Sequence, residues 1–339
     1  DEAVDDARPH GVSQCLEQLH HGRVLPERGL RWRGDLSHTK DFISTWLDVN
    51  TTFCDARLCD SCSIPTMSSV TSSSGGRVSD DERMVFGHRG LSSLAPENTM
   101  AAFRCAVDHE VAWVEVDVDI IADGTVIICH DSTLDRTTNR AGRYDGLMEA
   151  DLAGIDAGGW FSPWFEGEPL PTLRALVDLM NDTGLNANIE IKPNETGKEA
   201  TFRLIDGVIA QLERLRPGVK VIVSSFSHLL LYLFKQRAPE VPVGCLYESR
   251  ALLGDWRSTL EIVGADYIHP EDSGLTRQQV QAFRAEGYGV NVWTVNSLSR
   301  ANELFNWGAT GVFSDVAHQI PRRCILHSSG TLCENRHPR

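Results

Sequence analysis

A chain of 339 residues, 41% of them hydrophobic and 23% charged, can build one large α/β core and still leave residues for additional segments. Its formal net charge of -15 and sequence pI near 5.2 exclude a long basic footprint, so nucleic acid is not an expected partner. No run approaches the roughly 18 apolar residues of a spanning helix, and the N-terminal Asp1-Glu2-Ala3-Val4-Asp5-Asp6 is acidic where a signal peptide is basic, so a soluble, cytoplasmic protein without stable membrane insertion is expected.

Residues 1–84 lack sustained periodicity and close on the Ser/Gly-rich run Ser68 to Gly76, which reads as a flexible linker after a disordered extension. Cys54, Cys59 and Cys62 with His38 contain one Cys-x2-Cys and no second pair, a weak zinc signature. Cys105, Cys129 and Cys245 stand singly in apolar patterns of the following region and are expected as reduced core thiols.

From residue 85 to 320 short β-rich runs alternate with amphipathic helical patterns, the signature of βα units around a parallel sheet. Eight runs are predicted as strands: Val85–His88, Trp113–Val118, Ala187–Lys192, Lys220–Ser225, Val243–Tyr247, Asp266–His269, Gly289–Val295 and Gly311–Ser314. Eight such units imply an α/β fold closed as a (β/α)₈ TIM barrel, with residues 321–339 left as a C-terminal tail. Asn98, Thr172, Ser227, Thr276 and Ser297 are predicted N-caps, while Gly184, Gly287 and Gly308 are predicted helix stops. In such a barrel the chemistry belongs at the C-terminal strand ends.

The first strand ends in His88-Arg89-Gly90, an imidazole and a guanidinium side by side. In the second strand the period of two places Glu115 and Asp117 on one face. Acid alternation also keeps an exposed strand soluble, but inside a barrel mouth it requires a cation. Asp123-Gly124 then signals a tight hairpin before Thr125 to His130. Pairing Ala122 with Thr125 would set His130 opposite Asp117 and Ser132 opposite Glu115. The third barrel strand alternates again, with Glu190 and Lys192 on one face and Pro193 ending it.

The resulting set suits phosphodiester cleavage. Oxygen ligation by Glu115, Asp117 and Glu190 selects one hard divalent cation, Mg²⁺ or Ca²⁺. Arg89 and Lys192 would hold phosphate oxygens, and His88 and His130 would serve as general acid and general base, in an order the sequence leaves open.

These residues resemble the glycerophosphodiester phosphodiesterase family. The likeness rests on Gly87-His88-Arg89-Gly90, Ala95-Pro96-Glu97-Asn98-Thr99, Glu115-Val116-Asp117-Val118, Asp123-Gly124 with His130-Asp131, Leu170-Pro171-Thr172-Leu173, Asn188 to Lys192, Ser224-Ser225-Phe226, and Trp293-Thr294-Val295-Asn296, in family order. It implies a (β/α)₈ barrel, divalent-metal dependence and hydrolysis of a small-molecule glycerophosphodiester to sn-glycerol 3-phosphate and an alcohol. It further implies metal ligation by Glu115, Asp117 and Glu190, an acid/base pair in His88 and His130, and Trp293 packed over substrate.

Alternative readings are a lysophospholipid-directed phosphodiesterase of lysophospholipase D type and a catalytically silent barrel acting as a binding protein. Oligomeric state is not legible. Glu97 and Asn98 are expected to cap the first helix and steady Arg89 rather than touch substrate. Phe226, Tyr247 and His269 are second-choice pocket residues. The aromatic-rich segment 151–168 is read as either an active-site wall, with Glu168 near the metal, or a small satellite core.

Overall fold

A computed structural model describes residues 83–321. The proposed N-terminal extension, its Cys54, Cys59, Cys62 and His38 cluster, and the tail beyond residue 321 lie outside the described residues.

Strand β1 (Met84–Gly87) leads through helix α1 (Met100–Asp108) to β2 (Trp113–Ile120), which turns back as the short β3 (Val126–Ile128). An excursion carrying α2 (Glu149–Leu152) then reaches α3 (Leu173–Thr183) and β4 (Asn186–Ile191). Five further βα steps follow: α4 (Lys198–Leu212), β5 (Val221–Ser225), α5 (His228–Arg237), β6 (Val243–Tyr247), α6 (Trp256–Val263), β7 (Tyr267–Pro270), α7 (Arg277–Ala285), β8 (Gly289–Val292), α8 (Leu298–Trp307) and β9 (Gly311–Ser314). Strands β1, β2 and β4 to β9 are parallel, and β1 pairs with both β9 and β2, which closes the expected eight-stranded barrel.

Local chemistry explains the element ends. Thr172, Ser227, Thr276 and Ser297 each accept a backbone N–H from the first turn of their helices, and Gly184 and Gly308 end theirs in the left-handed conformation. The first helix departs from expectation: Thr99, not Asn98, is the N-cap, with its hydroxyl accepting from Ala102 N. Asn98 takes a positive φ of 56°, which frees its amide for a different partner, described below.

The hairpin also departs from expectation. Observed partners are Val118↔Ile128, Asp119↔Ile127 and Ile120↔Val126, one residue out of the register predicted from a two-residue turn. Ile121 N donates to Thr125 O, so three residues, Ala122 to Gly124, form the loop, and Gly124 (φ 96°) supplies its left-handed position. Cys129 N consequently bonds Asp117 O, and the strand ends before His130.

Among the described residues three apolar clusters hold the fold. The main one joins helices to the outer strand faces. A second lies within the barrel, where Phe86 stacks on Phe313 at 4.5 Å and meets Trp113 edge-on at 5.3 Å. The third, built from Ile121, Ile127, Cys129, Leu134, Tyr144, Leu152, Ile155, Ala157 and Leu170, is the core of the excursion between β3 and α3. Its polar anchor is Tyr144 Oη, which donates to Asp119 Oδ2 at 2.8 Å. Of segment 151–168, Leu152, Ile155 and Ala157 enter this satellite core, whereas Phe165 belongs to the main cluster with Phe161 packed against it, and Trp160 and Trp164 are exposed.

Cys129 and Cys245 are free and buried, as expected. Cys105 is not the expected thiol, being disulfide-bonded. No helix among the described residues is long and apolar enough to cross a membrane.

Candidate active site

The turn after β1 is built tightly. Gly90 N donates to Gly87 O at 3.1 Å, Arg89 has φ 57° and Gly90 φ 84°. A Cβ on Gly90 would lie 2.6 Å from the Ala102 methyl, so helix α1 can approach only glycine there. This turn throws His88 and Arg89 over the barrel end. Arg89 N donates to Glu115 Oε2 at 2.9 Å, and Arg89 Nη1 donates to Glu97 Oε1 at 2.8 Å. Glu97 thus steadies Arg89 as expected.

Asn98 has a different task from the cap assigned to it. Its Nδ2 donates to Asp117 Oδ2 at 2.8 Å, orienting a buried carboxylate.

Strands β2 and β4 run in parallel with Asp117 beside Glu190 and Glu115 beside Asn188. This register brings Glu115, Asp117 and Glu190 together, one oxygen from each lying within 4.8 Å of the others, all buried. Lys192 Nζ lies 3.1 Å from Glu190 Oε1 and 3.4 Å from Asp117 Oδ1.

Three carboxylates so close and so dry cannot all ionise without compensation. Burial, then repulsion from Asp117 and Glu190, pushes Glu115 well above the usual carboxylate range. Burial, then Asp117, pushes Glu190 to about 7. Burial also acts to raise Asp117, but Lys192, His130, Arg89 and the Asn98 hydrogen bond together hold it below its ordinary value. Glu190 Oε1 faces the Lys192 ammonium at 3.1 Å without the alignment of a full hydrogen bond. An all-oxygen donor set, anionic and incompletely satisfied, fits a hard divalent cation.

The two histidines flank this cluster, and each is held through Nδ1. His88 Nδ1 donates to Asp315 Oδ1 at 2.7 Å, which leaves Nε2 as the free nitrogen, 4.0 Å from Glu115 Oε2. Asp315 also accepts from Ser92 Oγ and Asn296 Nδ2. It is held at about 2, because these bonds and His88 outweigh its burial. His130 Nδ1 donates to Asp131 Oδ1 at 2.7 Å, and burial lowers the His130 pKa. The one-residue shift in hairpin register has not removed His130 from the site, because pairing ends at Ile128 and the chain is free to turn.

One pocket is lined by His88, Arg89, Glu115, Asp117, His130, Glu190 and Trp293, together with Asn188, Ser224, Phe226, Leu246 and Phe313. Lys192 reaches the cluster through its contacts with Asp117 and Glu190. Trp293 donates through Nε1 to His269 O at 2.8 Å and meets Phe226 edge-on at 5.5 Å, making an aromatic corner of the same pocket. Of the second-choice residues Phe226 joins the pocket, whereas Tyr247 and His269 do not line it. Glu168 does not approach the acidic cluster either. Its Oε1 accepts Ala101 N in the first turn of α1, where a carboxylate complements the helix dipole.

Sequence reasoning missed Asp315, Asp131 as the His130 partner, and Arg136, which bonds both Asp131 and Glu97. Asp315 carried a usable signal: it immediately follows the last barrel strand, at the end where functional groups gather. Arg136 lies in irregular chain and has no comparable sequence cue.

Residues 88–318 match the Glycerophosphoryl diester phosphodiesterase family. A glycerophosphodiester phosphodiesterase of Caldanaerobacter subterraneus subsp. tengcongensis is 32% identical over 232 residues, covering 68% of this chain and 93% of the relative. One from Bacillus subtilis is 31% identical over 273 residues, 74% of this chain and 90% of the relative. Among solved structures, an Oleispira antarctica phosphodiesterase in complex with the product sn-glycerol-3-phosphate is 32% identical with a TM-score of 0.67, covering 70% of this chain and 95% of that one.

Proposed function

The chain belongs to the glycerophosphoryl diester phosphodiesterase family, and from that premise we propose that it hydrolyses glycerophosphodiesters to sn-glycerol 3-phosphate and an alcohol. The observation that carries this reading is the convergence of two carboxylate-held imidazoles on a buried three-carboxylate cluster, all lining one pocket. Relatives bearing that activity in their names, and a related phosphodiesterase with sn-glycerol-3-phosphate bound, support it.

The substrate phosphate is assigned to the space between the histidines and the acids. Arg89, fixed by Glu97, and Lys192 provide positive charge for its non-bridging oxygens. Because Asp315 and Asp131 occupy Nδ1 of His88 and His130, each ring presents Nε2 to the reaction. One Nε2 withdraws the proton from the attacking oxygen, that of water or of the glycerol 2-hydroxyl, the new P–O bond forms, and the other delivers a proton to the departing alkoxide as the old P–O bond breaks; where the 2-hydroxyl attacks, water opens the resulting cyclic phosphate in a second step of the same kind. Each carboxylate partner stabilises the imidazolium formed at its histidine and fixes the tautomer.

Glu115, Asp117 and Glu190 would hold one divalent cation, Mg²⁺ or Ca²⁺, which supplies neutralisation of phosphate charge when bound. Trp293 and Phe226 offer apolar faces to the carbon skeleton of the glycerol or leaving group.

All of these groups fall within residues 85–320, which we take as the catalytic domain. The cytoplasmic assignment rests on free Cys129 and Cys245 and is opposed by the Cys105 disulfide, a bond that persists in oxidising compartments.

The test is coupled-enzyme detection of glycerol 3-phosphate from glycerophosphocholine and glycerophosphoethanolamine, after EDTA and then with Mg²⁺ or Ca²⁺ restored. Metal-restored release is the expected result. Release only from detergent-dispersed lysophosphatidylcholine would transfer the assignment to lysophospholipids, and no release from folded protein would favour a silent barrel.

A further inference from the structure

His130 stands beyond the last paired residue of β3, so the sheet does not fix its ring. Among the described residues its ring hydrogen-bonds Asp131 alone, and Asp131 is in turn held by Arg136: Nε donates to Oδ2 at 2.7 Å and Nη2 to Oδ1 at 2.9 Å. The same guanidinium crosses to Glu97, with Nη1 donating to Oε2 and Nη2 to Oε1, both at 2.8 Å. Glu97 Oε1 is also the acceptor that steadies Arg89. A continuous chain of charge-assisted hydrogen bonds therefore runs His130, Asp131, Arg136, Glu97, Arg89.

We infer that Arg136 is a positioning residue that locks His130 and Arg89 at a fixed spacing across the pocket, so that the acid/base imidazole and the phosphate-binding guanidinium meet the same substrate. The inference rests on the phosphodiesterase reading of this site and deepens it. Two features single out Arg136 for this task. It makes four hydrogen bonds to two carboxylates that approach from different elements, which needs the planar, five-donor fork of arginine and is beyond a lysine ammonium. Without that positive charge, Glu97 and Asp131 would face each other as like charges, and each would turn toward water or take up its catalytic partner in a new geometry. The side chain is also 45% exposed, so its ion pairs contribute little to global stability. Its removal should therefore be felt at the pocket more than in the fold.

The experiment compares wild type, Arg136→Ala, Arg136→Lys, His130→Ala and the Arg136→Ala/His130→Ala double variant, with thermal unfolding measured alongside. Arg136→Ala should lower kcat about 10- to 100-fold, the usual effect of removing a group that orients a reacting side chain, with an unfolding midpoint near that of wild type. It should also weaken binding of sn-glycerol 3-phosphate, read by titration without turnover, because Arg89 loses its orientation through Glu97. Arg136→Lys should recover only a minor part of both, and added guanidinium should partly rescue Arg136→Ala. In the His130→Ala background the same substitution should cost kcat little, because the group through which it acts has gone. Wild-type kcat and product affinity in Arg136→Ala, or an equal kcat loss with and without His130, would overturn the inference. Failure of wild type to turn over any glycerophosphodiester would instead strike the functional reading beneath it.

Discussion

Histidine occurs at the mouth of this barrel and in its interior, in opposite surroundings. At the mouth, His88 and His130 each give Nδ1 to a carboxylate and keep contact with solvent. In the interior, His269 is fully buried against Phe313 and close to Gly244, where any Cβ would fall 2.5 Å from the ring. Among the described residues no carboxylate meets His269. Its Nε2 accepts from Asn291 Nδ2 at 3.1 Å, its Nδ1 has no hydrogen-bond partner, and burial drives its pKa down to about 3. Histidine type and strand-end position are therefore insufficient to nominate a proton-transfer group; a carboxylate partner at Nδ1 and a solvent-contacting ring set the two proposed acid/base histidines apart from His269.

The largest expected effect sharpens that contrast at the mouth. Substituting His88 or His130 with Ala should lower kcat by roughly 10²- to 10⁴-fold, the usual worth of a positioned acid or base; steady-state kinetics that left either variant within tenfold of wild type would remove it from the mechanism. A smaller loss is expected from Asp315→Asn, about 10- to 100-fold in kcat, because the ring stays while its tautomer and orientation are no longer fixed. If Asp315→Asn matched wild type, His88 would be held by its neighbours alone.

The interior histidine should answer to a stability measurement. A base whose folded pKa is depressed to about 3 contributes its full stabilisation above its unfolded value of about 6.5. That contribution declines as pH falls through the window between the two, at up to about 1.4 kcal/mol per pH unit, because the unfolded chain binds the proton first. Denaturant unfolding of wild type and His269→Gln from pH 7 to 4 should thus show the stability gap between them narrowing as pH falls. Parallel curves would mean that His269 is protonated within the fold. Smallest is Tyr144→Phe, which deletes the hydrogen bond to Asp119 Oδ2 while Asn194 continues to hold Oδ1; about 1 kcal/mol of stability should be lost, with kcat unchanged.

The contrast also shows what the sequence could reveal. Period-two alternation in Trp113 to Asp119 and Asn188 to Lys192 was enough to locate the three acids, because parallel strands keep registered neighbours side by side. Capping residues at Thr172, Ser227, Thr276 and Ser297 were legible for the same local reason. Asn98 was misread because its amide serves Asp117, a neighbour in space rather than in sequence. The hairpin register failed on the backbone conformation of a single loop residue, since Asp123-Gly124 fits either a two- or a three-residue turn. Arg136 and the isolation of His269 were invisible because both depend on which side chains face each other after closure.

The proposed mechanism divides its labour between the buried acids, which would hold the metal, and the histidines beside them, which would move protons. Isothermal titration of Mg²⁺ or Ca²⁺ into wild type, Glu190→Ala and His130→Ala, with turnover of glycerophosphocholine measured on the same preparations, tests it most directly. Glu190→Ala should lose both metal binding and metal-supported turnover, since one of three anionic ligands is gone, whereas His130→Ala should keep metal affinity and lose turnover. Equal loss of metal binding in the two variants would contradict the division.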